Sequence, residues 1–248
     1  MKKNVLICSI MRNCEKSIHR YYEQIKTTVL AIPEINFSIS IYENDSIDQT
    51  PDILSSLDWS FTEKIHIKSE KIKTQFYGSI KDEDRVKNLS EARNKSIYGS
   101  DFLKESDYVL FVESDIVYTP NDVKELIFFK DRYKIDNFDI VSAISLHQTN
   151  GKLKLYDAWG TRRFAEEEIG KLYSKWDKRT FDRYYATFNC LCLYNSVPFK
   201  NNIKFHWYND RLKKFDNDTM VLCENFHTHG YNDIFINYKS RCYHENKK

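Results

Sequence analysis

Tyr108-Val109-Leu110-Phe111-Val112-Glu113-Ser114-Asp115 runs from an unbroken apolar segment straight into two acids. The first five residues are rich in β-branched and aromatic side chains and predict a buried strand. Alternation along an extended chain puts Glu113 and Asp115 on the same face. Carboxylate oxygens so placed hold a hard divalent cation, directly or through water. Such a cation can neutralise a diphosphate leaving group. The plainer reading is a solvated turn that closes a strand; the buried strand in front of it favours the metal.

The flanking sequence repeats one rhythm. Asn4 to Met11 predicts a first buried strand, and Ile18, Tyr22, Ile25 and Val29 recur after it at helical spacing. Phe37 to Tyr42 alternates as a second strand and ends in the turn formers Glu43-Asn44-Asp45-Ser46. Thr50-Pro51 opens a helix with Thr as its N-cap, and Lys64 to Ile67 is a third strand. Leu89 to Tyr98 is a helix capped by Ser90, and Pro120-Asn121-Asp122 starts another. Asp139 to Ile144, Ala186 to Tyr194 and Ile234 to Tyr238 read as strands, and Cys223 to Gly230 as a helix that stops at its glycine. The basic tail Asn246-Lys247-Lys248 reads as frayed. Strands alternating with helices predict an α/β fold, a mostly parallel sheet flanked by helices, in one domain over residues 1–248. Ligands of such sheets bind at the carboxyl ends of the strands. Glu43 to Asp48 and Glu113 to Asp115 both fall at such ends, placed to line one crevice.

Composition narrows the class. Of 248 residues, 41% are hydrophobic and 30% charged, which suits a packed core and argues against global disorder. Lys+Arg of 38 against Asp+Glu of 36 lacks the basic excess of a dedicated nucleic-acid binder. The six cysteines include no C-x-x-C pair, and Cys8, Cys190 and Cys192 lie in apolar runs. The thiols read as reduced, and a zinc ribbon is not expected. No run approaches the roughly 20 apolar residues of a membrane helix, so the chain reads as soluble and cytoplasmic.

Further polar clusters carry candidate chemistry. Arg93, in Ser90-Glu91-Ala92-Arg93-Asn94, is placed to contact a phosphate, or to pair with an acid and orient a loop. Glu43, Asn44 and Asp45 present groups for ribose hydroxyls and a base edge; otherwise they form a capped turn. Tyr156-Asp157-Ala158-Trp159-Gly160-Thr161-Arg162-Arg163 offers a carboxylate for sugar hydroxyls and a ring for a sugar face. Arg162 or Arg163 adds a cation for phosphate, unless the Trp only anchors the loop. Glu224 is a candidate general base for an acceptor hydroxyl, or an acid that favours a helix N-terminus. His227 and His229 stand two residues apart on a helix, on different faces, and are not expected to form a joint site.

In their order and spacing these segments resemble the GT-A glycosyltransferases, and among them the fungal capsule-associated α-1,3-mannosyltransferase family. The likeness runs from Arg12-Asn13 through Tyr42-Glu43-Asn44-Asp45-Ser46, Glu91-Ala92-Arg93-Asn94, Glu113-Ser114-Asp115, Tyr156-Asp157-Ala158-Trp159 with Arg162, and Cys223-Glu224, to Ile234-Phe235-Ile236-Asn237. Glu113 stands where that pattern has Asp. The resemblance implies a UDP- or GDP-sugar donor, a hydroxyl acceptor on a glycan, and a manganese or magnesium ion. It implies Asp115 as the main metal ligand, with Glu113 beside it and His244 as a further ligand. Ser114 would line the nucleotide-sugar site. Glu224 would be the base of an inverting reaction, or would position substrate in a retaining one. A metal-dependent nucleotidyltransferase would also use paired acids, but Cys8-Ser9-Ile10-Met11-Arg12-Asn13 lacks its glycine-rich phosphate loop. A non-catalytic carbohydrate- or nucleotide-binding module would not need the coincidence of metal acids, Arg93 and Glu224. The charge balance gives a nucleic-acid acceptor no support.

Overall fold

Strand β1 (Lys3–Met11) buries Val5, Leu6, Ile7 and Cys8, successive residues that point to opposite faces. A strand apolar on both faces belongs inside a covered parallel sheet. The computed structural model, which describes residues 2–78, 80–149 and 151–244, puts it there. Helix α1 (Ile18–Ala31) follows, then β2 (Ile35–Asn44), α2 (Thr50–Ser56), β3 (Lys64–Glu70), α3 (Glu83–Tyr98), α4 (Phe102–Glu105) and β4 (Tyr108–Val112). Beyond the acidic triplet come β5 (Ile116–Val117), α5 (Pro120–Ile127), α6 (Phe129–Tyr133), β6 (Ile140–Thr149) and β7 (Lys152–Leu155). A long irregular stretch leads to β8 (Phe181–Arg183), β9 (Leu191–Asn195) and α7 (Val197–Lys200). The small hairpin β10 (Tyr208–Asn209) and β11 (Lys214–Phe215) precedes α8 (Asp218–Thr228) and β12 (Ile234–His244).

The main sheet runs β3-β2-β1-β4-β9-β6-β12-β5, with β7 on β6 and β8 on β12. β3, β2, β1 and β4 are mutually parallel, and so are β6 and β12. β9 is antiparallel to both of its neighbours, so β6 and β12 regain the direction of β4. Six of the eight strands on this path therefore point one way, as the mostly parallel reading requires. One face of the sheet packs Ile7, Ile39, Leu110 and Val141 against Ile25 of α1 and Leu126 of α5. The other packs Leu6, Cys8, Phe111 and Cys192 against Ile97 of α3 and Leu222 and Phe226 of α8. The six cysteines are free thiols, five of them buried.

Several boundaries differ from expectation. Helix α3 starts at Glu83, not Leu89, because Asp82 caps it by accepting the Arg85 amide; Ser90 lies inside the helix and bonds the Lys87 carbonyl. The capping side chain before α2 is Asp48, whose Oδ1 accepts both the amide and the hydroxyl of Thr50. Helix α8 begins at Asp218, capped by Asn217, so Glu224 sits in mid-helix rather than at an N-terminus. The strand read from Ala186 shortens to Leu191 because Asn189 and Cys190 both take positive φ and turn the backbone. The strand read as ending at Tyr238 instead continues to His244, past a register shift between Asn237 and Arg241. The tail Asn246-Lys247-Lys248 lies outside the described residues.

Candidate active site

The acidic triplet joins β4 to β5. At its start the Glu113 amide bonds the Cys190 carbonyl at 2.9 Å, and Arg20 reaches the Ser114 carbonyl at 3.4 Å. The Ser114 hydroxyl lies 3.1 Å from the Cys14 sulfur at the end of β1. Alternation stops with the strand at Val112, and the two acids turn to different partners. Asp115 Oδ2 stands 2.9 Å from Nε2 of His244. The pairing of β5 with β12, in which Ile116 faces His244, brings these residues together across 129 positions of sequence. The ring of Tyr156 stacks on the imidazole at 3.8 Å and 14° and fixes its plane. The Asp115 side chain is 36% exposed and that of His244 is 8% exposed. The donor pair is thus held from the protein side and open from the solvent side.

Glu113 turns inward. Its Oε1 accepts a hydrogen bond from Arg93 at 2.8 Å, and the other arm of that guanidinium pairs with Asp218. Rings of Phe111, Phe188 and Phe205 surround the cation, Phe188 at 4.8 Å. Burial pushes the Glu113 carboxyl up, Arg93 draws it down, and Asp115 raises it again. Arg93 therefore occupies the second of its two expected roles. It pairs with acids and braces the triplet, while its own side chain is buried.

The groups after β2 are knitted into their loop. Glu43 is buried and accepts the Ser46 amide at 3.0 Å and the Ser69 hydroxyl. Asn44 donates to Asp45 and to Thr74, each at 3.1 Å. Asp45, at positive φ, accepts the amides of Lys73 and Thr74 and the Thr74 hydroxyl. Against the effect of burial, these donors hold its carboxyl well below the ordinary range. From β1, Arg12 clasps the same segment through the Thr74 and Gln75 carbonyls. A shallow crevice remains beside this clasp, lined by Asn44, Ile72, Thr74, Asn88, Glu91 and Lys95.

Across the sheet, Asp157 accepts the amides of Gly160 at 3.1 Å and Asn189 at 3.0 Å; burial raises its pKa despite those bonds. Trp159 is half-buried, with Lys81 5.0 Å above its ring. Arg162 is 2% exposed, and its guanidinium bonds the carbonyls of Ala158, Trp159 and Thr161 and faces Asp216 at 3.7 Å. It braces the loop from inside. Gly170 closes that loop, and a Cβ there would overlap the Thr161 carbonyl. Gly170→Ala is expected to cost about 1–3 kcal/mol of stability, the usual penalty of overpacking. Chemical unfolding would measure it, and a cost below about 0.5 kcal/mol would show that the loop yields freely.

Glu224 is also engaged. Its Oε1 accepts two bonds from Arg211 at 2.9 and 2.7 Å, and its Oε2 accepts the Tyr185 hydroxyl at 2.7 Å. Burial opposes ionisation, but Arg211 and Tyr185 outweigh it and lower the pKa. His227 bonds Asn232 and the Tyr185 carbonyl, whereas His229 turns to the Asn225 carbonyl. They make no joint site. Asp218, Arg85, Arg211 and the stacking role of Tyr156 escaped the sequence reading. Arg85 and Asp218 each stand in the first turn of a helix, where an ionic residue looks like ordinary surface charge.

The chemistry of Asp115 and His244 fits a divalent cation. Ligands at about 2.1 Å in neighbouring octahedral positions stand about 3 Å apart, which matches the 2.9 Å between these donor atoms. No set of three or more His, Cys, Asp or Glu side chains forms a metal cage among the described residues. Two protein donors leave positions for diphosphate oxygens and water, a common arrangement at phosphate-binding metal sites.

This sheet, with an acid and a histidine converging at its carboxyl edge, has the GT-A fold. The family profile described as cryptococcal mannosyltransferase 1 matches residues 4–212, and the chain belongs to that family. Among solved structures, the mannosyltransferase PcManGT from Pyrobaculum calidifontis, in complex with GDP-Man and Mn2+, is similar with a TM-score of 0.60. The identity is 10%, over 100% of this chain and 59% of that one. TarS 1-349 from S. aureus, in complex with UDP-GlcNAc, is similar with a TM-score of 0.58 at 16% identity, over 100% of this chain and 59% of that one. The chain thus spans about six tenths of either structure. A search of curated proteins finds no match. Among the described residues, no helix is long and apolar enough to cross a membrane.

Proposed function

We propose that the chain transfers a sugar from a nucleoside-diphosphate sugar to an acceptor hydroxyl with the help of Mn2+ or Mg2+. The observation that carries this reading is the Asp115–His244 pair, stacked against Tyr156 at the carboxyl edge of the sheet. The two residues would hold the cation, with Glu113 bracing the triplet through Arg93. The bound cation supplies charge stabilisation to the departing diphosphate. Residues 1–118 would hold the nucleotide, with Asn44 at the crevice after β2, and residues 119–248 would hold the sugar and acceptor around Asp157 and Trp159. The family and the GDP-Man complex of PcManGT favour GDP-mannose as the first donor to test. The free thiols suit a reducing compartment such as the cytoplasm.

The acids around the site are already committed: Glu113 and Asp218 to Arg93, Asp157 to two backbone amides, Glu224 to Arg211 and Tyr185. Glu224, ion-paired and with a lowered pKa, is a poor proton acceptor. The departing phosphate is the better one, so the acceptor proton would pass to it as the sugar–phosphate bond breaks, with retention at the anomeric carbon. The decisive experiment is a panel of UDP-, GDP- and CDP-sugars with and without Mn2+, read by transfer and by donor hydrolysis. A donor turned over only with metal supports the proposal. Absence of binding by every nucleoside diphosphate would overturn it.

Glu224→Gln separates positioning from base catalysis. Activity is expected to fall less than about tenfold, against the 10²–10⁴ typical of a lost general base. The substitution also removes a source of pH dependence. A carboxylate with a depressed folded pKa contributes stability above its unfolded pKa and loses it as pH falls through the folded value. Wild-type stability should therefore drop more steeply than that of the variant on the acid side of about pH 4.3. A thousandfold loss of kcat with native stability would restore Glu224 as the base.

A further inference from the structure

Arg93 is enclosed between Glu113 and Asp218 and has no face to offer a phosphate. Arg85 stands eight residues earlier on the same helix in the opposite situation. It is half-buried, and its Nε donates to the Gly78 carbonyl at 2.7 Å, which anchors the guanidinium from one side. Among the described residues, no acceptor meets its two Nη groups. It lies close enough to Arg93, Asp218 and Glu113 to feel their charge, and Tyr156 is in the same neighbourhood.

Three effects make this an unfavourable place for a cation. Partial burial strips water from it, and Arg93 repels it; both draw its pKa down. It also occupies the third position of the 16-residue helix α3, whose positive end disfavours a cation. The neighbouring acids Glu113 and Asp218 give little relief, since Arg93 already neutralises them. An incoming anion offsets all three effects. A fork of Nη groups in the neighbourhood of Glu113 and Tyr156 has the shape for two oxygens of one phosphate.

We propose that Arg85 is the side chain that grips the diphosphate of the donor, opposite the cation held by Asp115 and His244. This rests on the nucleoside-diphosphate-sugar reading above. The anchored Nε sets the plane of the guanidinium before the donor arrives. The same contact persists as the sugar leaves and charge builds on the β-phosphate, so Arg85 contributes to both donor affinity and turnover.

Calorimetric titration of the full chain with GDP and guanosine, and in parallel UDP and uridine, all with Mn2+, tests the assignment. Arg85→Gln is expected to weaken diphosphate binding about ten- to a hundredfold, the range for hydrogen bonds to a charged group, and to leave nucleoside binding unchanged. Arg85→Lys, which keeps the charge without the fork, should fall between, with an unaltered thermal midpoint as evidence of folding. Equal losses for diphosphate and nucleoside, or wild-type diphosphate affinity in either folded variant, would overturn the role of Arg85. Failure of the wild-type chain to bind any nucleoside diphosphate would instead remove the donor reading, and Arg85 with it.

Discussion

Asp115→Ala is expected to lower metal-dependent transfer at least about a hundredfold while the fold remains intact. The side chain is 36% exposed and pairs with the imidazole of His244 among its contacts, so truncation opens no large apolar cavity. Stability should change by only about 1 kcal/mol, because the carboxylate half of the pair already faces water. The loss falls on the cation. Carboxylate oxygen is the hard, charged half of the donor pair, and imidazole alone retains manganese or magnesium poorly. Losing a group that stabilises transition-state charge costs about 10²–10³ in rate when it is a single hydrogen-bond donor, and a divalent ion carries more charge. His244→Ala should produce a smaller loss, because Asp115 remains. The check is donor turnover against Mn2+ concentration for wild type and both variants, with a chelator control. Full turnover in chelator, or wild-type rates in Asp115→Ala, would refute the metal assignment.

The second large effect concerns stability. Arg93→Met is expected to destabilise the fold by about 3–5 kcal/mol, the cost of leaving partners of a buried pair uncompensated. The guanidinium is nearly inaccessible, is ringed by Phe111, Phe188 and Phe205, and serves Glu113 and Asp218 at once. Without it, two carboxylates stay buried beside Asp115. The folded pKa of Glu113, which burial already pushes up, must then lie further above its unfolded value. Such groups lose stability as pH rises toward the folded value, so the deficit of the variant should be smaller at about pH 5 than at about pH 8. Adding Asp218→Asn and Glu113→Gln should recover at least half of the loss. Urea unfolding at the two pH values measures all of this, and a deficit below about 1 kcal/mol in the single variant would show that the cluster is not a coupled unit.

The strands of the first half were legible because they are apolar on both faces and followed by helical spacing. β1, β2 and β4 each fell within a residue or two of their predicted ranges. The helix starts were less legible. Asp82 caps α3 from a stretch with no apolar periodicity, so the first turn and Arg85 escaped notice. The Asp115–His244 pairing came from the resemblance, not from the local sequence, since only the β5–β12 register joins residues so far apart. What one sequence could not give is which way a polar side chain turns. Glu43, Arg93, Arg162 and Glu224 carry chemistry suited to substrate, and each turns to partners that only the folded chain assembles.

The late closure between β5 and β12 also bears on how the protein is made. A nascent chain that has passed Val117 already holds β1 to β4, the acidic triplet and the crevice after β2. It still lacks the imidazole, which arrives on the last residue of β12. An interrupted chain would therefore carry the acidic triplet without the histidine that pairs with it. If this pair holds the proposed cation, competence to bind metal would arise late in synthesis and in one step, and a ribosomal product that stops short of His244 would be held silent by its own topology.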